Sequence, residues 1–279
     1  MEMTQKLSIE ELKNVPETLL YPLKARYIET KKKDGLISDP LSVQILDALQ
    51  YDPTQTKPVI MPQLGICLRT IIIDMQVKKF LAENPDGVVV NIACGLDTRF
   101  PRVDNGTVHW FDLDLPETIK IRRHFFQETD RHRFVAKSAL DPSWADEIPK
   151  DKKALFIIEG LSFYFSEEEN RRMLKIIKDN FPGAECLIEI LAAWFVIMAS
   201  KTTGKKTYDD PLENKAAGLM KWGANSGRKL DDWFDGMKFV EQWFVTQQRL
   251  DAFPLCYRIC CLLVPALSRA NKIVHLRFA

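Results

Sequence analysis

Val88-Val89-Val90-Asn91-Ile92-Ala93-Cys94-Gly95-Leu96-Asp97-Thr98-Arg99 reads as an apolar, β-branched strand that runs into a tight turn holding a single glycine. A helix is expected to begin near Asp97. In a doubly wound sheet, ligands bind beyond the carboxyl ends of strands where the winding order reverses, and the first such turn is the floor of that site. Gly95, lacking a Cβ, lets the backbone approach a ligand closely.

Outward from this turn, short β-branched runs at 88–93, 108–114, 133–136, 154–159 and 186–191 alternate with helical stretches. Such alternation predicts βαβ units and an α/β fold with a mostly parallel sheet covered on both faces. Ser166-Glu167-Glu168-Glu169 has the form of a capping box, opening a helix that stops near Phe181-Pro182-Gly183. Runs at 238–246 and 273–278, with a helix over 255–267 between them, are expected to add an antiparallel edge. Upstream, Ser8-Ile9-Glu10-Glu11 is another capping box, and Asp39-Pro40 and the prolines of 58–62 divide the first 84 residues into three helices. The third carries Leu64, Cys67, Leu68, Ile71, Ile72 and Met75 on one face, with Arg69 beside it. The polar stretch 192–236 is too long for a structureless loop and is expected to be a partly helical lid. The chain therefore reads as one domain over 1–279, with a helical N-terminal extension at 1–84 and a lid-like insertion at 192–236.

A chain of 279 residues with 46% hydrophobic and 28% charged residues buries a full core, which excludes disorder and small disulfide scaffolds. Lys and Arg number 39 against 38 Asp and Glu, so no polyanion-binding surface and no nucleic-acid partner are expected. The cysteines Cys67, Cys94, Cys186, Cys256, Cys260 and Cys261 lie in apolar surroundings without a C-x-x-C pair, and are expected to be reduced and buried. The first residues lack a signal peptide's apolar stretch, and the longest apolar run, 190–199, is half a membrane span. A cytoplasmic protein without a membrane partner is expected. His109, His124, His132 and His275 show no metal-ligand spacing, and no metal is expected.

The second strand ends Trp110-Phe111-Asp112-Leu113-Asp114-Leu115-Pro116, placing an acid about 20 residues after the turn, where such folds bind ribose hydroxyls. Asp112 and Asp114 share one strand face, Asp114 nearer the ligand. Asp112 is expected to be structural and to pair with Arg99. A dinucleotide needs G-x-G-x-x-G for its pyrophosphate, but the glycine positions read Ala93, Gly95 and Thr98, and Asp97 adds a negative charge. That disfavours NAD. S-adenosylmethionine has no phosphate, needs only one glycine, and tolerates an acid near its ammonium group.

The 91–99 turn resembles the G-x-G-x-D-[ST] turn of the leucine carboxyl methyltransferase family, whose members include tetracenomycin-type polyketide O-methyltransferases. Asp112-Leu113-Asp114-Leu115-Pro116-Glu117 resembles its D-x-P-E segment, and Ile158-Glu159-Gly160-Leu161-Ser162-Phe163-Tyr164 its E-G-x-x-x-Y segment. Arg69-Thr70 and Asp39-Pro40 match further motifs, and the resemblance spans 24–186. Asn91 and Ala93 depart from the pattern. The resemblance implies a class I, Rossmann-like, S-adenosylmethionine-dependent enzyme. It implies that Gly95 packs against the cofactor, Asp114 holds its ribose, Arg69 pairs its carboxylate and Glu159 takes its ammonium. Ser138 and Ala139 fall where the family contacts adenine, and Lys24 matches a lysine that reaches the cofactor.

Each residue also has a structural alternative: Glu159 as an ordinary strand-end carboxylate, Arg69 as a surface ion pair, Tyr164 as core. The family tyrosine at this spacing implies substrate contact and makes Tyr164 the candidate catalytic group. Trp194, Phe195, Trp222 and Trp233 suggest an aromatic pocket under the insertion, or packing of the insertion itself. The expected activity is O-methylation of a carboxylate or acidic phenol on a small, polyketide-like molecule. An NAD-dependent oxidoreductase and a non-catalytic cofactor-binding interaction module are the alternatives.

Overall fold

Seven apolar runs become strands: β1 Val88–Ile92, β2 His109–Asp114, β3 His132–Ala136, β4 Ala154–Ile158, β5 Glu185–Leu191, β6 Met237–Phe244 and β7 Asn271–Phe278. The computed structural model describes residues 17–49, 60–201 and 218–279. The 8–11 capping box and residues 202–217 of the expected lid lie outside the described residues. Among the described residues the α-helices are α1 Glu17–Lys31, α2 Pro40–Ala48, α3 Ile60–Glu83, α4 Phe100–Val103, α5 Pro116–Arg122, α6 Glu167–Asn180, α7 Ala193–Lys201, α8 Val245–Gln248 and α9 Leu255–Leu263.

The strands form one sheet in the order β3-β2-β1-β4-β5-β7-β6. β1 pairs in parallel with both β2 and β4, so the winding reverses beside β1. The expected antiparallel edge is the β6–β7 pair, in which β7 runs antiparallel to both β5 and β6.

All five residues of β1 are buried because the sheet is covered on both faces. Val88, Val90 and Ile92 pack with Phe156 and Ile158 against Met173, Leu174 and Ile177 of α6. Val89 points the other way and joins Leu155, Ile157 and Leu187 under Leu68, Ile72 and Val77 of α3. Each such side chain contributes roughly 1.5–3 kcal/mol on burial. By length and composition α3 passes as a membrane span, yet 61% of its most apolar window is buried inside the protein. It is the layer that closes one face of the sheet.

Local signals fix the helix starts. Asp39 caps α2 by accepting from Ser42 N, with Pro40 at the first turn. Ser166 and Glu169 make both bonds of the expected capping box on α6.

Four cysteines, Cys67, Cys94, Cys186 and Cys261, are buried as expected, but Cys256 and Cys260 are exposed. The reason lies in α9, which is apolar around most of its circumference and docks through little more than Tyr257 and Cys261. Leu262 and Leu263 remain 74% and 77% exposed. Apolar composition does not compel burial when an element has a single docking face. Burial also pushes the Cys67 thiol up to about 12, further suppressing its thiolate. Titration with Ellman's reagent under native conditions is expected to show a fast phase of two thiols that disappears in the Cys256→Ser/Cys260→Ser variant. A fast phase that survives in that variant contradicts the placement of α9.

Candidate active site

A cavity of about 660 Å³ lies at the carboxyl ends of β1 and β4, where the winding reverses. Its strand side is polar, with Asn91, Asp97, Asp114, Glu159 and Glu189 joined by Arg26 from α1 and Arg69 from α3. Its far side is apolar, walled by Phe163, Tyr164, Trp194, Phe195, Phe253 and Tyr257.

The turn after β1 places Ala93 at φ 56° and Gly95 at φ 52°, both left-handed. Glycine adopts this conformation freely, whereas at Ala93 it costs about 1–2 kcal/mol. Gly95 N donates to Asp114 Oδ2 at 2.8 Å, and Leu115 N donates to Oδ1 at 2.7 Å. Burial pushes the Asp114 carboxyl above its ordinary value, opposed by those two backbone donors. Two backbone bonds leave a carboxylate with acceptor capacity for further donors.

Asp112 is structural, as expected, but its partner is Arg122 rather than Arg99. Arg122 reaches it at 2.5 Å, His132 Nε2 at 2.6 Å, Trp110 Nε1 at 2.9 Å and Asn91 Nδ2 at 3.3 Å. Arg122 also donates to the carbonyl oxygens of Gly95 and Asp97, so this cluster holds the turn from beneath. Asn91 also donates to Asp97 at 3.0 Å. An acid at position 91 would instead crowd a third carboxylate between two others.

Arg99 belongs to a second network. It donates to Asp74 at 2.6 Å, to Glu159 at 2.5 Å and to Asp97. Arg69 donates to Glu159 at 2.7 Å and to both oxygens of Glu189, at 3.1 and 2.9 Å. Arg102 joins Asp74 at 2.7 Å and Asp39 at 3.4 Å, and Arg26 reaches Asp39 at 2.7 Å. Four arginines thus meet five carboxylates in one continuous chain, leaving a single net negative charge. Burial by itself would raise the Asp97 carboxyl, but Arg99 and Arg102 outweigh it and hold it down at about 2. Glu159 is lowered in the same way, burial opposed by Arg99 and Arg69.

Of the residues singled out in the sequence, Gly95, Asp114, Arg69, Glu159 and Tyr164 line the cavity, while Lys24, Ser138 and Ala139 do not. Lys24 is buried at 4% exposure on α1. Ser138 turns its hydroxyl back to Leu140 N, and Ala139 faces the core. Arg69 is no surface ion pair, since two carboxylates bury it. The aromatic group divides. Trp194 and Phe195 line the cavity, whereas Trp222 and Trp233 meet with rings tilted 53° and centroids 5.4 Å apart, packed against the core. Sequence reading missed Glu189 and Arg26.

The family model for leucine carboxyl methyltransferase matches residues 20–178. This chain belongs to that family. The tetracenomycin polyketide synthesis O-methyltransferase TcmP of Streptomyces glaucescens is 30% identical over 233 residues, 83% of each chain. An S-adenosyl-L-methionine-dependent methyltransferase of Gibberella zeae, dpfgK, is 23% identical over 257 residues, covering 84% of this chain and 83% of its own. The structure of a SAM-dependent methyltransferase from Anabaena variabilis ATCC 29413 superposes with a TM-score of 0.50 at 11% identity, covering 74% of this chain and 84% of that one. The protein is a methyltransferase of class I fold, and its cofactor is S-adenosylmethionine.

The residues present fit that cofactor. Sulfonium, ammonium and carboxylate give it one net positive charge, opposite in sign to the surplus on the ion network. Asp114 has acceptor capacity toward the cavity. At Gly95 an added Cβ would meet Leu19 Cδ2 at 3.2 Å, so the turn is already close to its steric limit.

Asp114→Ala is expected to weaken S-adenosylhomocysteine binding by about 1.5–3 kcal/mol, roughly ten- to a hundredfold, by calorimetry. Asp112→Ala is expected instead to destabilise the fold by about 3–5 kcal/mol in denaturant unfolding, because it strands buried Arg122. The reverse order would exchange the two assignments. For Asp97, a depressed carboxyl adds stability that is fully present above the unfolded value of ~4 and is lost as pH falls through about 2. Acid unfolding followed by circular dichroism is expected to show a shallower loss over that window in Asp97→Asn than in the wild type.

Proposed function

We propose that the enzyme methylates an oxygen of a small aromatic molecule, and that the acceptor is a carboxylate or an acidic phenol. The carrying observation is the lining of the cavity: among the described residues it includes neither histidine nor lysine. Tyr164 lines the cavity within the fields of Arg69 and Glu189, and burial raises its pKa above the ordinary phenol value. A neutral tyrosine donates a hydrogen bond but does not take a proton. A carboxylate, with an unperturbed pKa near ~4, arrives ionised, while a plain phenol near ~10 needs a base.

Bound S-adenosylmethionine supplies an electrophilic methyl group on a sulfonium. The chain's own part is then alignment, since holding two reactants in register supplies most of what an in-line displacement requires. In this reading Asp114 accepts from the ribose hydroxyls and Gly95 lets the turn lie against the cofactor. Glu159 and Asp97 face its ammonium group. Tyr164 orients the acceptor through its hydroxyl, and Phe163, Trp194 and Phe195 receive an aromatic ring edge-on or offset. Trp194, Phe195 and Met220, from the described parts of 192–236, line the acceptor half. TcmP supports an oxygen acceptor of polyketide type, and the family's description supports a carboxyl group.

The test is a panel of aromatic carboxylic acids, acidic phenols and plain phenols with methyl-labelled cofactor. Turnover is expected for the first two classes, with a rate nearly independent of pH above ~6. Tyr164→Phe is expected to lose less than about tenfold in kcat/KM without a change of pH profile. His109→Ala, His124→Ala and His275→Ala are expected to remain active, since none of the histidines lines the cavity. Turnover confined to plain phenols, or a folded histidine variant that binds cofactor and is dead, overturns the proposal.

A further inference from the structure

α9 is fixed to the body of the protein along one narrow line. Tyr257 and Cys261, one turn apart, face inward. Tyr257 packs with the α3 layer and, together with Phe253 just before the helix, lines the acceptor half of the cavity. At about 100° per residue, the opposite side carries Leu262, Leu255, Ile259, Leu263, Cys256 and Cys260 in an unbroken arc of about 160°. Leu255 is 67% exposed and Ile259 46%, with Leu262 and Leu263 barer still. The chain beyond the helix continues the patch through exposed Val264, Pro265 and Ala266. Single apolar residues on a surface need no explanation, whereas a contiguous patch marks a contact.

Charge selects the partner. The near equality of 39 cations and 38 acids over the whole chain conceals a local excess: residues 252–279 hold Arg258, Arg269, Lys272 and Arg277 and not one Asp or Glu. Lys272 is buried, and Arg277 donates to Glu185 at 3.2 Å. Arg258 and Arg269 are exposed, and Asp251, the nearest acid in the sequence, is held by Arg249 at 3.0 Å. Arg258 borders the apolar arc beside Leu262. A second copy of the chain fits this surface poorly, because two such faces would bring arginines together with no acid between them. A helix of nine residues, about 14 Å long and about 10 Å wide, also offers only a fraction of the ~800 Å² that each partner of a stable dimer buries. An anionic lipid surface meets both conditions: its headgroups attract the arginines, and its acyl boundary accepts a short apolar helix lying flat without a complementary shape.

We infer that α9 lays its outer face on an anionic lipid bilayer surface, with Arg258 and Arg269 at the headgroups and Leu255, Ile259, Leu262 and Leu263 in the acyl boundary. The contact is peripheral and involves no span. It departs from the expectation of no membrane partner, which weighed charge over the whole chain, whereas a lipid surface meets one patch. Because Phe253 and Tyr257 wall the cavity on the inner side of the same segment, the acceptor half lies one helix diameter, ~10 Å, from the lipid. An apolar aromatic acceptor partitions into that lipid and is concentrated beside the cavity. This consequence rests on the proposed function, while the lipid contact itself does not.

Vesicle flotation without acceptor or cofactor is the test, using phosphatidylcholine alone and phosphatidylcholine mixed with phosphatidylglycerol. The protein is expected to bind the mixed vesicles more tightly than the neutral ones, by about fivefold for each arginine. Leu262→Gln/Leu263→Gln, at two exposed positions, is expected to lose at least about tenfold in binding at an unchanged melting temperature. Arg258→Gln/Arg269→Gln is expected to level the two vesicle types. In Cys256→Ser, an environment-sensitive fluorophore on Cys260 is expected to shift to the blue on the mixed vesicles, which locates the contact at α9. Three results overturn the inference: no binding to mixed vesicles, binding that survives the leucine variant, or a dimer in analytical ultracentrifugation that dissociates in that variant and so gives the face to a second copy. Methyl transfer to the acceptor panel without vesicle binding overturns the lipid contact alone and leaves the proposed function standing.

Discussion

Everything at the carboxyl end of the sheet depends on one constraint: four arginine side chains and five carboxylates are held largely out of water and must satisfy one another. Desolvating a charge costs several kcal/mol, and only close, multiple pairing offsets it. Arg26 comes from α1, Asp39 from the cap of α2, Arg69 and Asp74 from α3, Asp97 and Arg99 from the turn after β1, and Glu159 and Glu189 from the ends of β4 and β5. Apart from the Arg99–Asp97 pair inside the turn, these pairs form only once the elements stand in their final places. The ion network therefore fixes where the N-terminal helices sit on the sheet, while the apolar contacts of α3 supply most of the attraction.

The same network divides the cavity. Toward the strands, fixed charges and backbone amides suit a ligand with several ionic groups. Away from them, aromatic walls offer area and shape but no proton acceptor. A reaction that needs only two reactants held in line can be run by such a site, because the chemical demand lies in the cofactor and the acceptor.

Much of this was legible in the sequence, and the exceptions have physical reasons. β1 to β5 were readable because a strand covered on both faces is a continuous β-branched run. Gly95, Asp114 and Glu159 were readable because they sit at strand ends, where the fold always places its ligand. Glu189 was not, since one acid inside Glu185-Cys186-Leu187-Ile188-Glu189-Ile190-Leu191 looks like a polar interruption of a core strand. Arg26 lost to Lys24 because both are cations on one helix, and two residues along a helix turn the side chain by ~200°. Asp112 found Arg122, ten residues on, because α5 folds back directly over β2 and brings it beneath the turn. Cys256 and Cys260 escaped burial because composition does not reveal how many faces of a helix find a partner.

Shared partners also govern how substitutions in this region combine. Asp39, Asp74, Asp97 and Glu159 each serve more than one arginine, so deleting any single member strands the rest. Single-residue scanning therefore overstates every position it touches, and the individual losses sum to more than the whole network contributes. The nine residues form one mutational unit. A chimera that exchanges the N-terminal helices with those of a relative keeps this end of the sheet intact only if Arg26, Asp39, Arg69 and Asp74 travel together with partners that match them on the strands.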